Sequence, residues 1–161
     1  MAKCATLGLH SFIRGGAIVH DSIERSIAIE APIERVWELV TEPGWWAPTD
    51  VPVEADRTPG HVVVRESEKW GRFPVEVVEL RPMSYAAFRW SSMFPGEDLT
   101  PGRTTLIEFT VSPTDDGVRV SVIESGFSQL DATDELRAQG IESNSGGWTE
   151  ELSSLRNRAE A

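Results

Sequence analysis

Few side chains in this sequence could do chemistry, and their spacing argues against most of it. The soft and imidazole donors are Cys4, His10, His20 and His61, too scattered to match a known metal-ligand spacing. Cys4 has no basic cluster beside it that would favour its thiolate. The serines lack the Gly-x-Ser-x-Gly context of a nucleophile on a strand-to-helix turn. Gly15-Gly16 and Gly146-Gly147 lack the glycine spacing and the lysine of a phosphate-cradling loop. No catalytic residue, metal or cofactor is expected.

What remains is aromatic. The chain has six Trp, six Phe and one Tyr, and a large ring can wall a cavity without many hydrogen bonds to satisfy. Strand alternation puts Phe88, Trp90 and Phe109 on an inward face, with Arg89 and Ala87 outward. Trp90, Phe109 and Trp148 are expected as pocket walls, and Phe88 belongs to the same ligand-binding set. Trp45, Trp46 and Phe94 are expected at the entrance, with Met93 beside them. Each such ring could instead simply fill the core. Glu124 has inward parity near the end of its strand, so it meets either a ligand or a partner Arg; the simpler reading is a solvated strand-end carboxylate. Arg89, Glu108 and Glu76 fit outer-face charge pairs.

The elements that position these residues follow from periodicity. Residues 22–31 alternate, with Ile23, Arg25, Ile27 and Ile29 on one face. Pro32 then opens a helix whose apolar stripe is Ile33, Val36, Trp37 and Val40, ended by Pro43-Gly44. Strands are predicted at 62–66, 73–80, 85–92, 104–111 and 118–125, with Asp116-Gly117 as a hairpin turn. Residues 91–103 form a long connection of the kind that often serves as a lid. A short helix is predicted over 134–139, closed by Gly140, followed by a turn at 143–147. The final helix presents Trp148, Leu152, Leu155 and Ala159 along one edge. Residues 1–21 show neither period and are expected to be a flexible tail, with a single domain over 22–161.

Composition bounds the rest. With 161 residues, 40% of them hydrophobic and 25% charged, one globular domain is expected. A net charge of −11 disfavours nucleic acid and anionic membranes as partners. One cysteine precludes an internal disulfide and suits a reducing cytoplasm. An open sheet edge leaves monomer and homodimer both open.

Three segments, residues 27–40, 116–127 and 147–155, carry a resemblance in their order and spacing. The first is a strand running into Ala-Pro-x-x-x-Val-Trp, the second a strand ending in Gly-Phe, and the third Gly-Trp-x-x-x-Leu-x-x-Leu. Together they resemble the SRPBCC superfamily of helix-grip or START-like domains, and within it the bacterial proteins homologous to the activator of Hsp90 ATPase. The resemblance implies an α+β, helix-grip fold: a curled antiparallel β-sheet of six to seven strands wrapped around a long C-terminal helix, with a hydrophobic cavity between. It implies no single chemistry. The leading expectation is binding of a small apolar molecule. The alternatives are a protein-interaction module that regulates a chaperone ATPase, and a cyclase or aromatase-like enzyme acting by orienting its substrate.

Overall fold

Period-two alternation produces a single antiparallel sheet of six strands. The computed structural model describes residues 11–14, 17–53 and 56–161, with side chains from residue 21 onward. The sheet contains β3 (Ser22–Ile29), β4 (Val62–Ser67), β5 (Gly71–Arg81), β6 (Tyr85–Trp90), β7 (Thr105–Thr114) and β8 (Gly117–Ser125). Its order is β3-β8-β7-β6-β5-β4, so it curls without closing and β3 and β4 are its edges. All six strands lie within a few residues of their predicted bounds.

Two further strands, β1 (Ser11–Arg14) and β2 (Ala17–His20), pair with each other in a segment that shows no strand periodicity in sequence. Cys4 and His10 lie outside the described residues.

The inner face is the one alternation predicts. Phe88, Ile107, Phe109, Val120 and Val122 are fully buried. A bulge between Val77 and Glu79 shifts the β5–β6 register, and Ala86 and Ala87 are both buried although they alternate in sequence. On the outer face Arg89 pairs with Glu76 at 3.4 Å, as expected. Glu108 instead accepts a 2.5 Å hydrogen bond from the Tyr85 hydroxyl.

Helix α1 (Ile33–Val40) starts after Pro32, whose carbonyl accepts from Arg35 and Val36, and buries Val36, Leu39 and Val40. Helix α2 corrects the expectation of two pieces: it runs unbroken over Asp134–Glu160. Gly140 is not a cap. A Cβ there would lie 2.8 Å from the Met93 sulfur, so glycine lets the 91–103 connection pack against the helix. Residues 143–147 look like a turn because Ser, Asn and Gly favour turns, yet tertiary packing holds them helical. The N-terminus is capped by Thr133, whose hydroxyl accepts from Leu136 N at 3.2 Å. Among the described residues, no helix is long and apolar enough to cross a membrane, which says nothing of a β-barrel.

Candidate functional site

The site is built at the end of the sheet where β6 finishes, β7 begins and β8 finishes. Trp90 and Thr105 face each other across β6 and β7. Glu124 reaches the same end from β8, and Asn144 and Trp148 stand one turn apart on α2.

Glu124 is fully buried rather than solvated. Its Oε1 accepts from Trp148 Nε1 at 2.9 Å and Asn144 Nδ2 at 3.1 Å. Its Oε2 accepts from Trp90 Nε1 at 2.9 Å and Thr105 Oγ1 at 2.6 Å, with Ser92 Oγ at 3.3 Å. Indole and amide N–H groups only donate, so this arrangement suits an ionised carboxylate, which only accepts. The expected partner Arg is absent: among the described residues no Lys, Arg or His forms an ion pair with Glu124. One buried carboxylate thus ties three strands to the helix and fixes the orientation of two indoles.

Trp45 and Trp46, expected at an entrance, turn into the interior. They are 7% and 5% exposed and fill the space between sheet and helix. Trp45 packs on Phe109 at 5.4 Å between ring centroids and Trp46 on Phe88 at 5.4 Å, and both meet Trp148. Their turn from α1 into the core is enforced locally. Gly44 has φ 74°, and a Cβ there would meet Arg65 Cγ at 2.8 Å. Arg65, itself buried, donates from Nε and Nη2 to the Pro43 carbonyl at 3.0 Å each and stands 3.6 Å from Glu42. The indole nitrogens of Trp45 and Trp46 are buried without a hydrogen-bond partner among the described residues, so ring packing holds this plug.

Beside this plug, at the open end, lies a pocket of ≈ 430 Å³. Trp46, Ala47 and Pro48 form one wall, and Trp70, Phe73 and Trp90 another. The helix supplies Ser143, Asn144, Gly147, Trp148, Glu150 and Glu151. A methyl group built on Gly147, or on neighbouring Gly146, meets no atom within 4 Å. Packing does not require either glycine, and at Gly147 the bare backbone widens the pocket. Burial first, and the charge of Glu150 second, hold the Glu151 carboxyl above its ordinary range.

Of the residues expected to bind ligand, Trp46, Trp90 and Trp148 line this pocket. Trp45, Phe88 and Phe109 sit behind it, and Glu124 braces two of its rings. Phe94 lies outside, under the Arg103 guanidinium at 4.6 Å, and Met93 is held against Gly140. The 91–103 connection is thereby latched to its surroundings, with Gly102 O accepting from Asp131 N at 2.8 Å. Sequence reasoning missed Trp70 and Phe73. Trp70 sits in the β4–β5 turn, 57% exposed, and an exposed indole at a hairpin tip was the available signal.

A family model described as "Activator of Hsp90 ATPase homolog 1-like protein" matches residues 30–160. The chain is similar in structure to protein MLL2253 from Mesorhizobium loti (TM-score 0.65, 20% identity, 85% of this chain and 95% of that one). It is also similar to protein BH1534 from Bacillus halodurans (TM-score 0.65, 23% identity, 86% and 96%). A third similar structure is the Aha1 dimer from Colwellia psychrerythraea (TM-score 0.61, 17% identity, 86% and 96%). These likenesses show the fold. No curated protein sequence matches the chain.

Proposed function

The chain belongs to the Activator of Hsp90 ATPase homolog 1-like family, and from that premise we propose that it binds a small, largely apolar molecule at the open end of its sheet. The observation that carries this reading is the pocket of ≈ 430 Å³ walled by Trp46, Trp70, Phe73, Trp90 and Trp148. Ligand sites are concave and mostly apolar, with a few placed polar groups and volumes of about 300–1,000 Å³. Each ligand methylene moved from water onto these rings contributes about 0.8 kcal/mol. Asn144, Glu150 and Glu151 supply the polar contacts.

Binding should quench or shift Trp fluorescence and raise the melting temperature by linkage. Gly147→Leu places a side chain where the pocket now has space and should abolish both effects without unfolding the protein. A panel of lipids, aromatics and polyketides that leaves the wild type unchanged would overturn the proposal.

The family description and the likeness to an Aha1 dimer favour a second reading, a homodimeric module that regulates an Hsp90-type ATPase through its acidic surface. That reading predicts an association that weakens as salt rises and is indifferent to Gly147→Leu. A cyclase-like reading has less support, because the lone pairs of Glu124 are already engaged and it is not free to act as a base.

A further inference from the structure

We propose that the pocket selects an organic cation: a quaternary or protonated amine carried on an apolar body. The inference rests on reading the pocket as the ligand site and names the class of ligand it takes.

Three independent features of the lining favour positive charge. First, the walls are aromatic. Trp46, Trp70, Phe73, Trp90 and Trp148 line the pocket, and among the described residues no Lys, Arg or His is in its lining. The π face of indole is the strongest side-chain attractor of a cation. The chain shows the same contact at the pocket's lip, where Lys69 Nζ stands 4.8 Å from the centre of the Trp70 ring.

Second, two of these rings lean on a buried negative charge. Trp90 and Trp148 each donate their indole N–H to Glu124 at 2.9 Å, and Glu124 has no cationic partner among the described residues. Donation to a carboxylate polarises the indole and enriches its face in electron density. The carboxylate sits in a low-dielectric interior, so its field reaches the pocket with little screening.

Third, the rim carries Glu150 and Glu151 side by side. A bound cation would offset the repulsion between them, which adds to burial, the larger cause, in holding the Glu151 carboxyl above its ordinary range. Of the side-chain N–H groups in the lining that could recognise an anion, all but that of the exposed Trp70 are engaged or sealed away. Those of Trp90, Trp148 and Asn144 point at Glu124, and that of Trp46 is buried. A net charge of −11 adds long-range attraction for cations.

The test uses matched pairs that differ only in charge: choline against 3,3-dimethylbutan-1-ol, and phenyltrimethylammonium against tert-butylbenzene. Affinities are read by Trp fluorescence and calorimetry at fixed ionic strength. The cation of each pair should bind at least about tenfold tighter than its neutral twin. Gly147→Leu should remove binding of both. The double variant Glu150→Gln, Glu151→Gln should cut the preference to about threefold or less while sparing the neutral twin. Neutral twins that bind as well as the cations would overturn the inference and leave the apolar pocket standing. Failure of all four probes, with apolar compounds from the wider panel still bound, would also overturn it. Failure of probes and panel together would remove both readings.

Discussion

At the residue scale the decisive side chain is Glu124. A buried carboxylate without a cation is tolerated only because donors from two strands, the segment after β6 and a helix converge on it. Glu124→Gln exchanges one acceptor oxygen for an NH₂ group. On the Oε1 side that group would face Trp148, a pure donor, and Asn144, whose amide must flip to accept. On the Oε2 side Thr105 and Ser92 can turn to accept, but Trp90 loses its carboxylate oxygen. The substitution should cost about 1–3 kcal/mol, and Glu124→Ala more, because it strands every donor. Urea denaturation measures both; an unchanged midpoint for Glu124→Gln would mean that the network does not hold the helix to the sheet.

Tyr85 offers a check on the outer face. Burial first, then its hydrogen bond to Glu108, raise its phenol from 10.0 to about 12. The folded protein therefore keeps this proton at pH values where the unfolded chain has lost it. Stability should fall as pH rises from about 10 towards 12. Tyr85→Phe should remove that part of the slope in denaturation midpoints measured across the same range.

At the scale of elements, α2 carries an unusual local cost. Glycine in a helix interior is less stable than alanine by roughly 0.5–1 kcal/mol, and Gly146 and Gly147 sit mid-helix with open space beyond their Cα atoms. Gly146→Ala should therefore stabilise the protein by about that amount and leave ligand binding intact. Gly147→Ala should stabilise it similarly but weaken binding, since the new methyl group enters the pocket. Thermal melts and ligand titration of the two variants separate the effects. Destabilisation by either variant would contradict the open space described here.

At the scale of the molecule, the sheet was legible and the pocket was not. Strand bounds follow from alternation, which is local, and all six strands were found from it. The sequence predicts two helical pieces because Gly140 and the Ser-Asn-Ser-Gly-Gly run over 143–147 carry turn chemistry that only packing overrides. That error hid the one-turn spacing of Asn144 and Trp148, and with it the donors of Glu124. Trp45 and Trp46 follow Pro43-Gly44 and so look like loop aromatics. Only Arg65, 20 residues further on, shows that the loop turns inward. Such contacts between distant residues leave no period in the sequence.

The central claim is that the tryptophans lining the open end contact a small ligand. Resolved indole N–H resonances of the six Trp during ligand titration test it most directly. The signals of Trp46, Trp70, Trp90 and Trp148 should move together and saturate at one equivalent, while Trp37 on α1 stays still. Shifts centred on Trp37, or none in the lining set while the ligand binds, would contradict the account.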